Sequence, residues 1–157
     1  MQGVAGASGV LLALAFAVMP ARAPARTVVT LSFDDALESQ AAVPAMLAAR
    51  GLRASFFVNG ARVGRSGRLG WAEIHAIAAA GHEIGGHTLA HDRLTSLSDE
   101  AARRTVCDDR AALVAQGFDP ISFAYPYGAA DARTAAIVGA CGYLLARTHG
   151  GIPRPGG

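Results

Sequence analysis

The chain has 157 residues, enough for one domain, and at 52% hydrophobic and 17% charged it reads as globular rather than disordered. Its formal net charge is only +2, which argues against a nucleic-acid partner. All 14 basic residues are Arg. The absence of Lys excludes a P-loop lysine, a Schiff-base lysine and the lysine that phosphoryl-aspartate enzymes keep beside their acidic pocket.

In chain order, the first feature is an apolar run, Val10 to Met19, closed by Pro20 and small residues. It suits a secretory leader and is too short for a stable membrane span. Ala23-Pro24-Ala25 fits a small-x-small cleavage site. This predicts a signal peptide over 1–25, a mature domain over 26–157, and a secreted or cell-envelope location. Met1 to Gly9 carries no basic residue, so an apolar core helix is the competing reading.

Strands are predicted at Thr27 to Phe33, Ala54 to Val58, His82 to Gly86, Ile121 to Tyr125 and Tyr143 to Ala146. Several are near-continuous apolar runs, as in strands buried on both faces of a parallel sheet. Helices are predicted at Ala41 to Arg50, Trp71 to Ala80, Asp99 to Gln116 and Ala132 to Ala140. Glycine follows each helix, at Gly51, Gly81, Gly117 and Gly142. Ser98 fits an N-cap, with Asp99 and Glu100 in the first turn. The alternation defines an α/β fold, doubly wound or barrel-like, with its site at the loops after the strands. Asn59 to Gly70 reads as an exposed loop whose arginines are solvated. Cys107 and Cys141 fit either a disulfide or two buried thiols.

Three constellations carry chemistry. Asp34-Asp35 closes the first strand, where crowded carboxylates call for a cation or a raised pKa; a solvated turn is the plain alternative. His87-Thr-Leu-Ala-His91 follows the third strand. Histidines four apart share one side of a helical turn, and two His plus a carboxylate make a facial metal set. The preceding Gly85-Gly86 would permit a tight turn. His82 reads as structural, and His75 as surface or satisfied core. Tyr125-Pro126-Tyr127-Gly128 follows the fourth strand as a stiff loop whose backbone N–H could serve as an oxyanion donor, or which simply ends the strand.

Ser32-Phe-Asp34-Asp35, His87-Thr-x-x-His91 and Tyr125-Pro-Tyr127-Gly, in this order, resemble the first three motifs of the NodB-type polysaccharide deacetylases, carbohydrate esterase family 4. Ala54-Ser-Phe-Phe-Val-Asn59 and Gly81-His-Glu-Ile-Gly-Gly-His87 extend the likeness, which runs from about Thr27 to Gly150. The resemblance implies a distorted (β/α) barrel and a divalent metal, usually zinc. It implies Asp34 as catalytic base and Asp35, His87 and His91 as metal ligands. Pro126, Tyr127 and Gly128 would form the oxyanion and substrate loop, with the donor at the Tyr127 N–H.

The implied reaction removes acetyl groups, mainly N-acetyl, from an acetylated polysaccharide. Peptidoglycan, chitin-like oligomers, poly-N-acetylglucosamine and acetylated xylan all satisfy it. Two departures stand out. Many members carry an Arg that braces the base in the third motif, where this chain has Ala124. The downstream Leu-x-His segment that supplies a general acid has no counterpart here, and Thr148-His149-Gly does not match it. The domain is therefore expected to be C-terminally truncated, with a barrel incomplete at that end. A non-catalytic metal- or glycan-binding remnant is the second reading. A phospho-accepting acidic pocket is a remote third, which leaves His87 and His91 unexplained.

Overall fold

The computed structural model describes residues 28–149. The expected signal peptide and the Gly150–Gly157 tail lie outside the described residues. Five strands, β1 (Ser32–Asp34), β2 (Ser55–Val58), β3 (Glu83–Gly86), β4 (Ser122–Ala124) and β5 (Leu145–Arg147), form one sheet. Their order is β1-β2-β3-β4-β5 and every pairing is parallel. A doubly wound sheet would reverse its order at a switch point. Sequential parallel order instead curls the sheet as a partial (β/α) barrel. Among the described residues β1 and β5 each pair on one side only, so the arc is open.

Four helices follow the strands: α1 (Val43–Ala48), α2 (Trp71–Ala79), α3 (Asp99–Ala115) and α4 (Ala132–Ala140). Neighbouring residues of a strand face opposite sides. Phe56, Val58, Ile84 and Phe123 are buried against the helices. Phe57, Gly85, Ser122 and Arg147 face the inside of the arc. Two clusters fill the helix side. Phe56, Val58, Ile74, Ile77 and Leu113 form one, and Leu94, Val106, Phe123, Ile137 and Tyr143 the other.

α3 starts where expected. Ser98 is its N-cap, and its hydroxyl accepts from the Ala101 N–H. The α3 C-cap is Gln116, with Gly117 just beyond it at φ 85°. Cys107 on α3 and Cys141 at the C-cap of α4 form a disulfide that staples these two helices.

Three elements differ from expectation, one of them β5, which runs Leu145–Arg147 rather than Tyr143 to Ala146 because its register with β4 pairs Ser122 with Leu145 and Ala124 with Arg147. β1 begins at Ser32 rather than Thr27, because its one partner, β2, begins at Ser55 and the register pairs Ser32 with Ser55. Val28 and Val29 lie exposed ahead of it. The helix expected from Ala41 is split. A 3-10 turn, Glu38–Ala42, precedes α1, and Pro44 sits in the first turn of α1, where its missing N–H costs nothing.

Candidate metal centre and active site

The three motif loops meet at the C-terminal end of the sheet. Asp34 ends β1, and Asp35 follows at φ 76° with Ala36 at 48°. That left-handed pair reverses the chain, so the two carboxylates do not alternate across the sheet as neighbours in a strand do. His87 directly follows β3, and Tyr127 lies in the turn after β4. One ligand atom from each of Asp35, His87 and His91 can be chosen so that all three lie within 4.8 Å of one another.

The His pair reaches this point differently from the expected helical turn. Residues 87–93 are loop, and the chain reverses through left-handed Thr88 (φ 62°) and His91 (φ 67°). The Thr88 hydroxyl accepts from the Asp92 N–H at 2.9 Å and closes the loop. The rings of His87 and His91 end 5.0 Å apart, edge to face. Gly85 and Gly86 do not form a turn. Both lie in β3, and their requirement is room. A Cβ on Gly86 would sit 1.9 Å from the Tyr143 hydroxyl oxygen, and one on Gly85 would sit 2.7 Å from the Phe57 ring.

His87 is 2% exposed, and its Nδ1 lies 2.7 Å from the Ala124 carbonyl oxygen. A carbonyl only accepts, so Nδ1 carries the proton and Nε2 is left as a lone-pair donor. Burial lowers the His87 pKa, opposed by its bond to Ala124 and by the Asp34 charge, so the imidazole favours its neutral form. Asp35 Oδ1 is buried and accepts no hydrogen bond, with His91 Nε2 at 3.7 Å and Arg68 Nη1 at 3.4 Å. An unsatisfied carboxylate oxygen beside two imidazoles is what a divalent cation would complete.

The backbone of this loop is pinned from behind. Asn59, buried after β2, donates its side-chain amide to the carbonyls of both His87 and Thr88. Asp109 on α3, fully buried, accepts the Gly60 N–H at 2.7 Å on Oδ1 and the His87 N–H at 3.0 Å on Oδ2. Burial pushes its carboxyl up to about 7, against the pull of these two amides.

Three arginines surround the cluster. Arg147 on β5 donates to Asp34, with its guanidinium 4.7 Å from the Phe57 ring centroid. Ala124 and Arg147 are partners in the β4–β5 register, so this Arg stands one strand beyond the alanine. Arg68 donates to the Asp35 backbone carbonyl at 2.6 Å, so Asn59 to Gly70 is not simply a solvated loop. Arg93 lies 4.4 Å over the ring of Tyr127, and that ring meets His91 edge to face at 4.6 Å. Tyr127 itself is left-handed, at φ 59°. Its N–H is free of the bonds that close the turn, which run from Gly128 N–H to Tyr125 and from Ala129 N–H to Pro126.

The remaining histidines fall outside the cluster. His82 Nδ1 accepts the Ala54 N–H at 3.1 Å, a structural role as expected. His75 lies at the surface against Phe118. The ring of His149 lies where a Cβ on Gly128 would be, 2.5 Å away at its nearest. Asn59, Asp109 and Arg147 are the residues that sequence reading missed. Asp109 had a signal, as an acid within the buried α3 stripe Ala102, Thr105, Val106, Asp109, Leu113, and Asn59 closed a stretch similar to the family, whereas Arg147 had none.

An open parallel (β/α) arc with one carboxylate and two imidazoles converging at its C-terminal rim, and a second carboxylate beside them, is a candidate divalent-metal site. The family model for polysaccharide deacetylase matches residues 21–146, and the chain belongs to that family. The Streptococcus pyogenes deacetylase PplD, solved with acetate, is similar at TM-score 0.73 and 24% identity, over 80% of this chain and 57% of that one. A family 4 carbohydrate esterase from Streptomyces lividans, also solved with acetate, is similar at TM-score 0.66 and 24% identity, over 74% of this chain and 60% of that one. These likenesses bear on the fold. A gellan lyase from Bacillus sp. is 36% identical over 81 residues, half of this chain and 3% of that protein. The chain thus spans less than two thirds of each of these relatives.

Proposed function

We propose that this protein hydrolyses acetyl groups, mainly N-acetyl, from an acetylated amino-sugar polysaccharide, using one divalent cation held by Asp35, His87 and His91. The observation that carries the reading is the convergence of those three side chains from two strand-end loops, with Asp35 Oδ1 unsatisfied at its centre. Two imidazoles and a carboxylate suit zinc and leave coordination positions open. A cation there supplies Lewis-acid chemistry, acidifying water and polarising an acyl oxygen.

The protein's own groups divide the remaining work. Asp34 is the general base and takes the proton from the attacking water. Arg147 holds the Asp34 carboxylate in place, in the role the family's third-motif Arg fills elsewhere. The Tyr127 N–H, in its stiff Pro126–Gly128 turn, donates to the developing oxyanion, a contact typically worth about 3–4 kcal/mol of barrier. The Nδ1–H bond to Ala124 keeps His87 Nε2 aimed inward. The Cys107–Cys141 disulfide favours an oxidising compartment and so supports secretion or a cell-envelope location.

The test is acetate release from N-acetylated chito-oligosaccharides by the protein loaded with Zn²⁺. Release that stops with a chelator, and that Asp34→Asn abolishes without loss of bound zinc, is the expected result. Zinc bound and glycan bound with no acetate released would overturn the hydrolase in favour of a binding module.

A further inference from the structure

The geometry points to Asp109 as a positioning residue that sets the metal centre from behind the sheet, by holding the backbone of His87 and of the β2 loop in one place. The inference rests on the metal-centre reading above and goes beyond it, because Asp109 belongs to none of the motifs.

α3 buries a stripe along one side: Ala102, Thr105, Val106, Asp109 and Leu113. Four of these positions hold groups that a core accepts at little cost. The fifth holds a carboxyl with no exposed surface. Burying a carboxyl without strong compensation is expensive, so its presence calls for a specific task. The task is visible in its partners. Each oxygen accepts one backbone amide, from Gly60 at 2.7 Å and from His87 at 3.0 Å. Among the described residues no cation is a hydrogen-bond or ion-pair partner of Asp109, and the Tyr143 hydroxyl, which flanks Gly86 as Asp109 Oδ2 does, makes no hydrogen bond. The carboxyl is thus committed to two N–H groups from two different strand-end loops.

One of these loops belongs to the site and the other supports it. His87 is a ligand residue, and Gly60 follows Asn59, whose side chain holds the carbonyls of His87 and Thr88. Asp109 and Asn59 therefore grip the same short segment by its donors and its acceptors. The segment includes Thr88 at φ 62°, a left-handed value that a β-branched residue resists. It needs outside bonds to stay there. With the His87 N–H fixed, its Cα and ring are fixed relative to Ala124, which receives Nδ1–H. Removing Asp109 leaves the buried His87 N–H and the part-buried Gly60 N–H without their acceptor and frees the ligand backbone to relax.

Asp109→Asn is the informative change. It keeps the shape but sets an NH₂ against one of the two amides, so one bond becomes a donor–donor contact. Zinc affinity, measured by competition with a chromophoric chelator, should fall about tenfold to a hundredfold, the usual range for groups that orient metal ligands. Thr134→Val serves as the control. Thr134 is equally buried and caps α4 through Asp131, away from the site, so its loss should lower stability and leave zinc affinity unchanged. Both variants are compared at a temperature where far-UV circular dichroism shows them folded.

If Asp109→Asn does not fold, Asp109→Ser, which leaves one acceptor and room for water, takes its place. If neither folds, amide exchange in the wild-type protein decides. The Gly60 and His87 N–H groups should exchange only through global unfolding. A folded Asp109 variant that binds zinc within twofold of wild type, or fast local exchange of these two amides, overturns the inference. Wild-type protein that binds no zinc would instead sink the metal-centre reading on which it rests.

Discussion

Gly86→Ala is expected to be one of the most damaging single-methyl additions in this protein, and Tyr143 is the reason. The new Cβ would lie 1.9 Å from the Tyr143 hydroxyl oxygen and 2.6 Å from its Cζ, with Asp109 Oδ2 at 3.1 Å. To restore ordinary contact the phenol must retreat from 1.9 to at least 3.4 Å, about 1.5 Å. It has little room to do so, since Tyr143 is buried against Phe123. Overpacking of this kind costs roughly 1–3 kcal/mol, and this geometry belongs at the upper end, about 3 kcal/mol. The backbone gives no offsetting strain relief, because Gly86 is not left-handed. The assay is a double-mutant cycle in urea with Tyr143→Leu, which removes both the hydroxyl and Cζ. In that background Gly86→Ala should lose most of its cost, the remainder coming from Asp109 Oδ2 at 3.1 Å, which its bond to the His87 N–H holds in place. The coupling should be about 2 kcal/mol or more. Additive effects would refute the claim that Tyr143 makes this position a glycine.

Three further outcomes are expected. Arg147→Ala should lower kcat by about 10- to 100-fold with KM and bound zinc little changed, and Arg147→Lys should recover only part, because one ammonium cannot both donate to Asp34 and stack on Phe57 as a planar guanidinium does; equal kcat in Arg147→Ala would remove it from the machinery. Reduction of Cys107–Cys141, which closes a 34-residue separation, should cost about 4 kcal/mol of stability in the chain-entropy model, read from urea midpoints with and without reductant. His82 gives a pH signature: burial, then Arg53, lower its pKa below 6.5, so the unfolded chain takes up this proton first. Its contribution is fully present above 6.5 and is lost as pH falls from there toward the lower folded value. His82→Gln, which keeps an acceptor for Ala54 N–H without a titrating group, should flatten that part of the stability profile relative to wild type.

What the sequence discloses of this site follows from range. α2, α3 and α4 begin and end within a residue of expectation, because caps and terminal glycines are local signals: Ser98 and Asp131 accept from amides of their own first turns. The convergence of Asp35, His87 and His91 was foreshadowed for the same reason, as each motif follows its strand directly. The shape of the His loop was not. A spacing of four serves a helical turn and a left-handed reversal equally well, and the bonds that choose the reversal come from Thr105 and Asn59, distant in sequence. Arg147 was hidden for a stronger reason. Its place beside Asp34 depends on the register that sets it opposite Ala124, and on the curl that brings β5 toward β1 across the arc.

The left-handed residues make the same division physically. Five non-glycine residues among those described have positive φ: Asp35, Ala36, Thr88, His91 and Tyr127. All five lie in the three motif loops, and three of them, Asp35, His91 and Tyr127, are residues of the proposed site. Each such residue costs on the order of 1–3 kcal/mol, so the site stores strain that the rest of the fold must hold. The holding bonds are specific. Arg68 takes the Asp35 carbonyl, Asn59 takes those of His87 and Thr88, Asp109 takes the His87 N–H, and the Gly128 N–H closes back on Tyr125 around Tyr127. An unstrained version of these loops would carry its side chains along ordinary strand and helix directions, which diverge at a strand end. Convergence of Asp35, His87 and His91 at one point requires the reversals, and the reversals require the buried polar grip behind them. A substitution in that grip should therefore weaken metal binding before it unfolds the sheet, whereas one in the Phe56–Ile74–Leu113 core should do the opposite.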